Sequence, residues 1–149
     1  MSLRYGTLAD IPALMALGEA FFGDLGYPDD DLDRDGIPQV LHDLIISPAG
    51  FVLVSEVDGR VVGALLGLAH TPVFARRLQA SELGWWVDPD HRGSRDAVRM
   101  LAEFEAWARQ RACARVVLSR LLNMRPAAVG RLYERLGYAE RESAFAKAI

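Results

Sequence analysis

The chain has a single lysine, Lys147, and a single cysteine, Cys113. With no lysine elsewhere, a phosphate loop of the GxxxxGK type has no place in it. One thiol excludes an intramolecular disulfide and any zinc site of several thiolates, and Cys113 reads as an inert core thiol. No GxGxxG follows a strand, which weakens a dinucleotide reading, and there is no GxSxG nucleophile turn. His42, His70 and His91 are not spaced as ligands on one helix, so no metal is expected. Long apolar runs are also missing. Residues 61–69 fall far short of the roughly 20 a membrane span needs, and no charged-then-apolar leader opens the chain. A soluble, cytoplasmic protein without a membrane partner is expected.

What is present suffices for a core. The 149 residues are 51% hydrophobic, which fits one domain over residues 1–149. The net charge of −3 conceals a division. Residues 1–91 hold 5 Arg and 14 acids, whereas residues 92–149 hold 11 Arg, one Lys and 6 acids. No dense basic run with interleaved aromatics appears, which argues against nucleic acid as a partner. The halves either face different partners or reflect an arginine-rich composition on ordinary solvated faces.

Along the chain, residues 3–7 read as a short strand. Asp10 before Ile11-Pro12 has the N-cap and first-turn proline of a helix start, with the helix running to about residue 22. Residues 24–35 carry six aspartates, a run more often a mobile solvated loop than a ligand-facing surface. A second helix fits residues 37–46, stopped by Ser47-Pro48. Residues 51–57 and 60–69 then read as two strands joined by a tight Asp58-Gly59 turn, the second nearly all apolar and hence central. A further strand over residues 81–87, a helix to about residue 111, a strand over residues 115–119 and a helix over residues 126–136 follow. Gly137 is expected as a left-handed cap, with one or two closing strands from Tyr138 to the end. The order points to an α/β fold, a mixed central sheet of about six to seven strands with helices on both faces.

The chain is organised around residues 82–107. An apolar strand with Leu83, Trp85, Trp86 and Val87 breaks at Asp88-Pro89-Asp90, turns through His91 to Asp96, and enters a helix whose Ala97, Leu101, Phe104 and Ala108 share one face. The first turn of a helix has amides without internal partners and partial positive charge, and a phosphate or pyrophosphate suits such an end. Gly93 lets the backbone come close, while Arg92 and Arg95 add charge and bidentate donors.

Val87-Asp88-Pro89-Asp90-His91-Arg92-Gly93-Ser94-Arg95-Asp96-Ala97 resembles motif A of the GNAT superfamily of N-acetyltransferases, V-x-P-x-x-(R/Q)-x-x-G-x-(G/A). Leu132-Tyr133-Glu134-Arg135-Leu136-Gly137-Tyr138 resembles its motif B, L-Y-x-x-x-G-(F/Y). The resemblance implies the acyl-CoA N-acyltransferase fold, acetyl-coenzyme A as cosubstrate and a small-molecule or peptide amine as acceptor, and is compatible with a homodimer. It implies that the coenzyme's pyrophosphate sits on the Arg92, Gly93, Ser94, Arg95, Asp96 and Ala97 segment, and that its pantetheine arm pairs with the strand edge at Trp86 and Val87, with Asn123 a further contact. A break or bulge over residues 85–87 would splay that strand from its neighbour and free amides for the thioester carbonyl.

The resemblance gives Tyr133 as general acid toward the thiolate, with a core tyrosine as the alternative. Glu82 is the candidate base, with an exposed strand carboxylate as the alternative. One position departs from the motif. Arg95 stands where the family has the loop's central glycine, which is costly if that position needs positive φ and harmless if it is already helical. A non-catalytic acyl-coenzyme A sensor or interaction module of the same fold is the rival to an enzyme. The acidic run over residues 24–35, with Phe21, Phe22 and Tyr27 nearby, borders the acceptor side in the family and points to a small cationic amine.

Overall fold

The structure, a computed structural model, describes residues 2–147 and 149. Two compact units form, Met1–Ser119 and Arg120–Ile149.

The first unit is built on β1 (Ser2–Tyr5), α1 (Ile11–Leu25), α2 (Ile37–Ile46), β2 (Gly50–Val57), β3 (Arg60–His70), β4 (Gln79–Val87), α3 (Arg95–Gln110) and β5 (Arg115–Val117). The strands lie in the order β1-β2-β3-β4-β5, antiparallel except for the parallel β4–β5 pair. Asp58 and Gly59 both take positive φ, 50° and 76°, which is the tight turn expected to join β2 to β3.

Helices cover both faces of this sheet, as the alternation of side chains requires. On one face Val52, Val54 and Ala64 pack against Leu14 of α1 and Leu41 of α2. On the other, Phe51 lies against Phe104 and Trp107 of α3, with ring centroids 5.0 and 5.2 Å away. Gly67, opposite Phe51 in the ladder, is what admits α3 so closely, since a Cβ there would overlap the Phe104 ring.

Among the described residues five strands make the sheet, not six or seven. The residues expected to close it, from Tyr138 onward, form no strand among those described, and Ala148 lies outside them. Their sequence explains this. Past Tyr138 only Phe145 and Ile149 are large and apolar, both fully exposed, so the segment has no continuous face to bury. The second unit holds α4 (Pro126–Arg135), which Gly137 follows with φ of 90°, the left-handed residue expected after the helix.

The start of α1 is fixed by charge. Asp10 is buried and accepts from both terminal nitrogens of Arg4 at 2.8 Å, from the Thr7 amide at 2.8 Å and from the Thr7 hydroxyl at 3.0 Å. Arg4 also donates to Glu56, tying β1 to β2. The Arg4 guanidinium, foremost, holds the Asp10 carboxyl well below the usual aspartate range. A depressed carboxylate pKa stabilises the fold fully above the unfolded value, near 4. That contribution is lost as pH falls through the lower folded value. Asp10→Asn should therefore lower unfolding free energy by about 1 to 3 kcal/mol at neutral pH, with the deficit shrinking in acid. Urea melts across the acid range check this.

Candidate active site

Two features at the end of β4 make the site. Strand β5 pairs with β4 only at Gln79, Ala80 and Ser81. Beyond Ser81 the two part, so the β5-facing edge of β4 from Glu82 to Val87 has no ladder partner among the described residues. The pairing with β3 is interrupted at the same place. Leu66 faces Gly84 and Gly67 faces Glu82, so Leu83 is an extra residue, a β-bulge. A bulge was expected a little later, over residues 85–87. The difference follows from Gly67 and Gly84, whose missing side chains let the backbone kink there.

After β4 the chain makes a short 3-10 turn (Pro89–His91) and passes Gly93, whose φ of 77° would strain any other residue and around which a Cβ would meet nothing within 4 Å. Ser94 then caps α3, its Oγ accepting from the Ala97 amide at 3.3 Å. Arg95 opens the helix and is absent from the positive-φ residues, so arginine at that motif position carries no backbone strain. The amides of Gly93, Ser94, Arg95 and Asp96 make no hydrogen bond among the described residues, the condition that favours an anion. The Ala97 amide is engaged by Ser94, and the Asp96 side chain pairs with Arg99 at 3.0 Å. Only the Asp96 amide, not its carboxylate, suits a phosphate.

Glu82 stands where β4 and β5 part. Its carboxylate accepts from the Ser119 amide at 3.0 Å, bridging the gap that the ladder leaves. Burial pushes the carboxyl above its usual range, and the Ser119 amide opposes that shift. A carboxyl raised this way and held in place is suited to take up a proton. The other proposed acid-base residue, Tyr133, lies on α4 in the second unit, where it is buried with its ring 5.9 Å from that of Tyr138. Asn123 is exposed in the turn before α4.

The sequence reading places Asp24 in the acidic run over residues 24–35. Helix α1 runs on through Gly23 to Leu25 and ends at Gly26, with φ of 76°, so Asp24 belongs to a helix rather than to the acidic loop. Its Oδ2 accepts from Trp86 Nε1 and from Arg92 Nη2, both at 3.0 Å. The Trp86 indole first, and then Arg92, keep its carboxyl below the usual range. The Arg92 Nε donates to the Val87 carbonyl at 2.8 Å, and the guanidinium lies over the Trp86 ring, 5.5 Å from its centroid. The signal available was the i, i+3 spacing of Phe21 and Asp24, which places both over β4, where Phe21 approaches Gly84.

Strand edge, bulge, glycine turn and capped helix lie together at the end of β4 in an α/β fold. Residues 14–138 match the acetyltransferase (GNAT) family, and the chain belongs to that family. Its fold resembles that of a GCN5-related N-acetyltransferase from Ralstonia eutropha JMP134, with a TM-score of 0.80 and 20% identity over 99% of this chain and 97% of that one. It also resembles the aminoglycoside 6'-N-acetyltransferase AAC(6')-IG from Acinetobacter haemolyticus, with a TM-score of 0.70 and 20% identity over 100% and 99%. A predicted acetyltransferase from Clostridium acetobutylicum, solved with acetyl-CoA, has a TM-score of 0.78 and 14% identity over 99% and 95%. No curated protein matches the sequence significantly. No helix of the described residues is long and apolar enough to cross a membrane.

Proposed function

We propose that this acetyltransferase moves an acetyl group from acetyl-coenzyme A to a small cationic primary amine, by direct attack of the neutral amine on the thioester. The observation that carries the reading is the run of amides from Gly93 to Asp96 that make no hydrogen bond among the described residues, at a helix N-terminus directly beyond the edge of β4 that β5 leaves. Such an end receives a pyrophosphate, and the open edge offers main-chain groups to an extended amide-bearing arm like pantetheine. The Clostridium acetobutylicum relative solved with acetyl-CoA supports that choice of donor.

The chemistry asks little of covalent catalysis. The acceptor loses a proton from its ammonium, its nitrogen attacks the thioester carbon, and the tetrahedral adduct collapses as the thiolate leaves and is protonated. Glu82 takes the first proton, directly or through a water, and Tyr133 supplies the last. The aminoglycoside acetyltransferase among the relatives supports an amine acceptor. The acidic stretch after α1, with Asp29, Asp30 and Asp31 on a short 3-10 turn, supports a cationic one, because fixed negative charge concentrates cations.

Calorimetric titration with acetyl-coenzyme A tests the reading. No heat, and no competition by desulfo-coenzyme A at high concentration, would refute it. Arg92→Ala is expected to weaken coenzyme binding by about 1.5 to 3 kcal/mol, the range for hydrogen bonds to charged groups. An unchanged affinity would remove Arg92 from the site. For the acceptor, thiol release over an amine library should favour cations, more strongly at low salt. Neutralising Asp29, Asp30 and Asp31 to Asn should raise the KM of the best amine several-fold. A best substrate that is anionic would refute this.

A further inference from the structure

Arg92 is expected to grip phosphate, yet here its guanidinium is held elsewhere. It lies over the Trp86 ring, donates to Asp24, and is steadied by the Val87 carbonyl. An aromatic face beside a carboxylate is the usual chemistry for recognising an alkylammonium or guanidinium ion. Trp86 and Asp24 are preset for this, since the indole N–H donates to the same Asp24 oxygen and orients it. The chain's own arginine thus occupies a cation site one strand-end away from the anion turn.

We propose that Asp24 and Trp86 form the subsite for the cationic group of the acceptor, and that Arg92 passes between this subsite and the coenzyme's pyrophosphate. The inference rests on the function proposed above. It adds a named acceptor site and a coupling between the two substrates.

Three physical points support the exchange. The Arg92 and Asp24 side chains are 38% and 40% exposed, so their ion pair is solvent-screened and readily given up. A pyrophosphate offers the same guanidinium a higher charge and a planar pair of acceptors. Arg92 lies one residue before Gly93, whose open surroundings leave room for the turn to adjust. Once Arg92 moves to phosphate, the Asp24 carboxylate, still oriented by the Trp86 indole, and the Trp86 face can receive another cation. Donor binding then favours acceptor binding, and by linkage the reverse also holds.

Coenzyme A and agmatine, which carries both a guanidinium and a primary amine, are suitable probes. Because Asp24 competes for Arg92, Asp24→Asn should tighten coenzyme A binding by about 3- to 10-fold, as removing a competing conformation does. The gain should vanish in an Arg92→Ala background. Asp24→Glu, which keeps the charge, should bind near the wild-type level. Agmatine should bind wild type saturated with coenzyme A at least about 5-fold more tightly than wild type alone, and Asp24→Asn should lose that difference. If wild type binds coenzyme A but Asp24→Asn binds it equally or more weakly, the exchange is overturned and the proposed function stands. Agmatine binding that is absent or indifferent to coenzyme A also overturns the subsite. If wild type binds no coenzyme A, both the exchange and the function fall.

Discussion

Tyr133→Phe is expected to lower turnover by about 100- to 10,000-fold, the usual worth of general acid help, while coenzyme affinity stays near wild type. The substitution removes one hydroxyl and keeps the ring. Tyr133 is buried on α4 with its ring tilted against Tyr138, and phenylalanine preserves that packing. Thermal melts should accordingly change little. Single-turnover measurements with a saturating amine check the chemical step directly. A variant with the wild-type rate would assign Tyr133 to packing and leave the departing thiolate to be protonated by water. If wild type itself releases thiol only slowly, with no acetylated amine across a broad panel, the chain would instead be a non-catalytic acyl-coenzyme A module.

Glu82→Gln is the second large effect expected. A base must be unprotonated to act, so kcat/KM of the wild type should fall as pH drops through a value above the ordinary glutamate range, because burial raises this carboxyl. Glutamine retains an oxygen that can accept from the Ser119 amide, so the bridge between β4 and β5 survives. The variant should lose about 100-fold or more in kcat/KM and also lose that acid limb. A drop in rate with the limb intact would mean that Glu82 acts by holding the strands and that another group titrates. Separating the two outcomes needs the whole pH profile, not one rate.

The sequence made much of this legible for physical reasons that differ by element. The stop of helix α2 was legible because Ser47-Pro48 is a strong local signal, and Pro38 in its first turn fits its observed start. The β2–β3 turn was read from Asp58-Gly59, which is among the few pairs that tolerate two positive φ values. The β4–turn–α3 segment was legible because its signal is local, a strand followed by Gly93 and the capping Ser94. Failures came where long-range packing decided. Gly23 reads as a helix stop, but α1 continues across it, since Gly in a helix costs only about 1 kcal/mol and the helix rests on the sheet. That misplaced Asp24, and the Asp24–Arg92 pair joins residues far apart in the chain, which no local pattern reveals. Cys113, read as an inert thiol, is half-buried with its pKa raised by burial, against the opposing charge of Arg111. The expected C-terminal strands failed for a different reason, since apolar residues too sparse to form a face give a strand nothing to bury.

The extra residue at Leu83 acts as a frame switch for the sheet. Before it, Ala80 and Glu82 pair with Ala69 and Gly67, on the face that α3 covers. Straight alternation would then send Trp86 to that same face. Because Leu83 adds one step, Trp86 instead pairs with Ala64, a member of the α1 and α2 cluster, and so meets Asp24. Drawing Leu83 into the ladder opposite Leu66 would exchange the two faces for every residue downstream on β4, moving Trp85 to where Trp86 now stands, whereas deleting Leu83 would remove the bulge and keep the present pairs. A slip of one step in register would thus part Trp86 from Asp24 while leaving both residues in the chain.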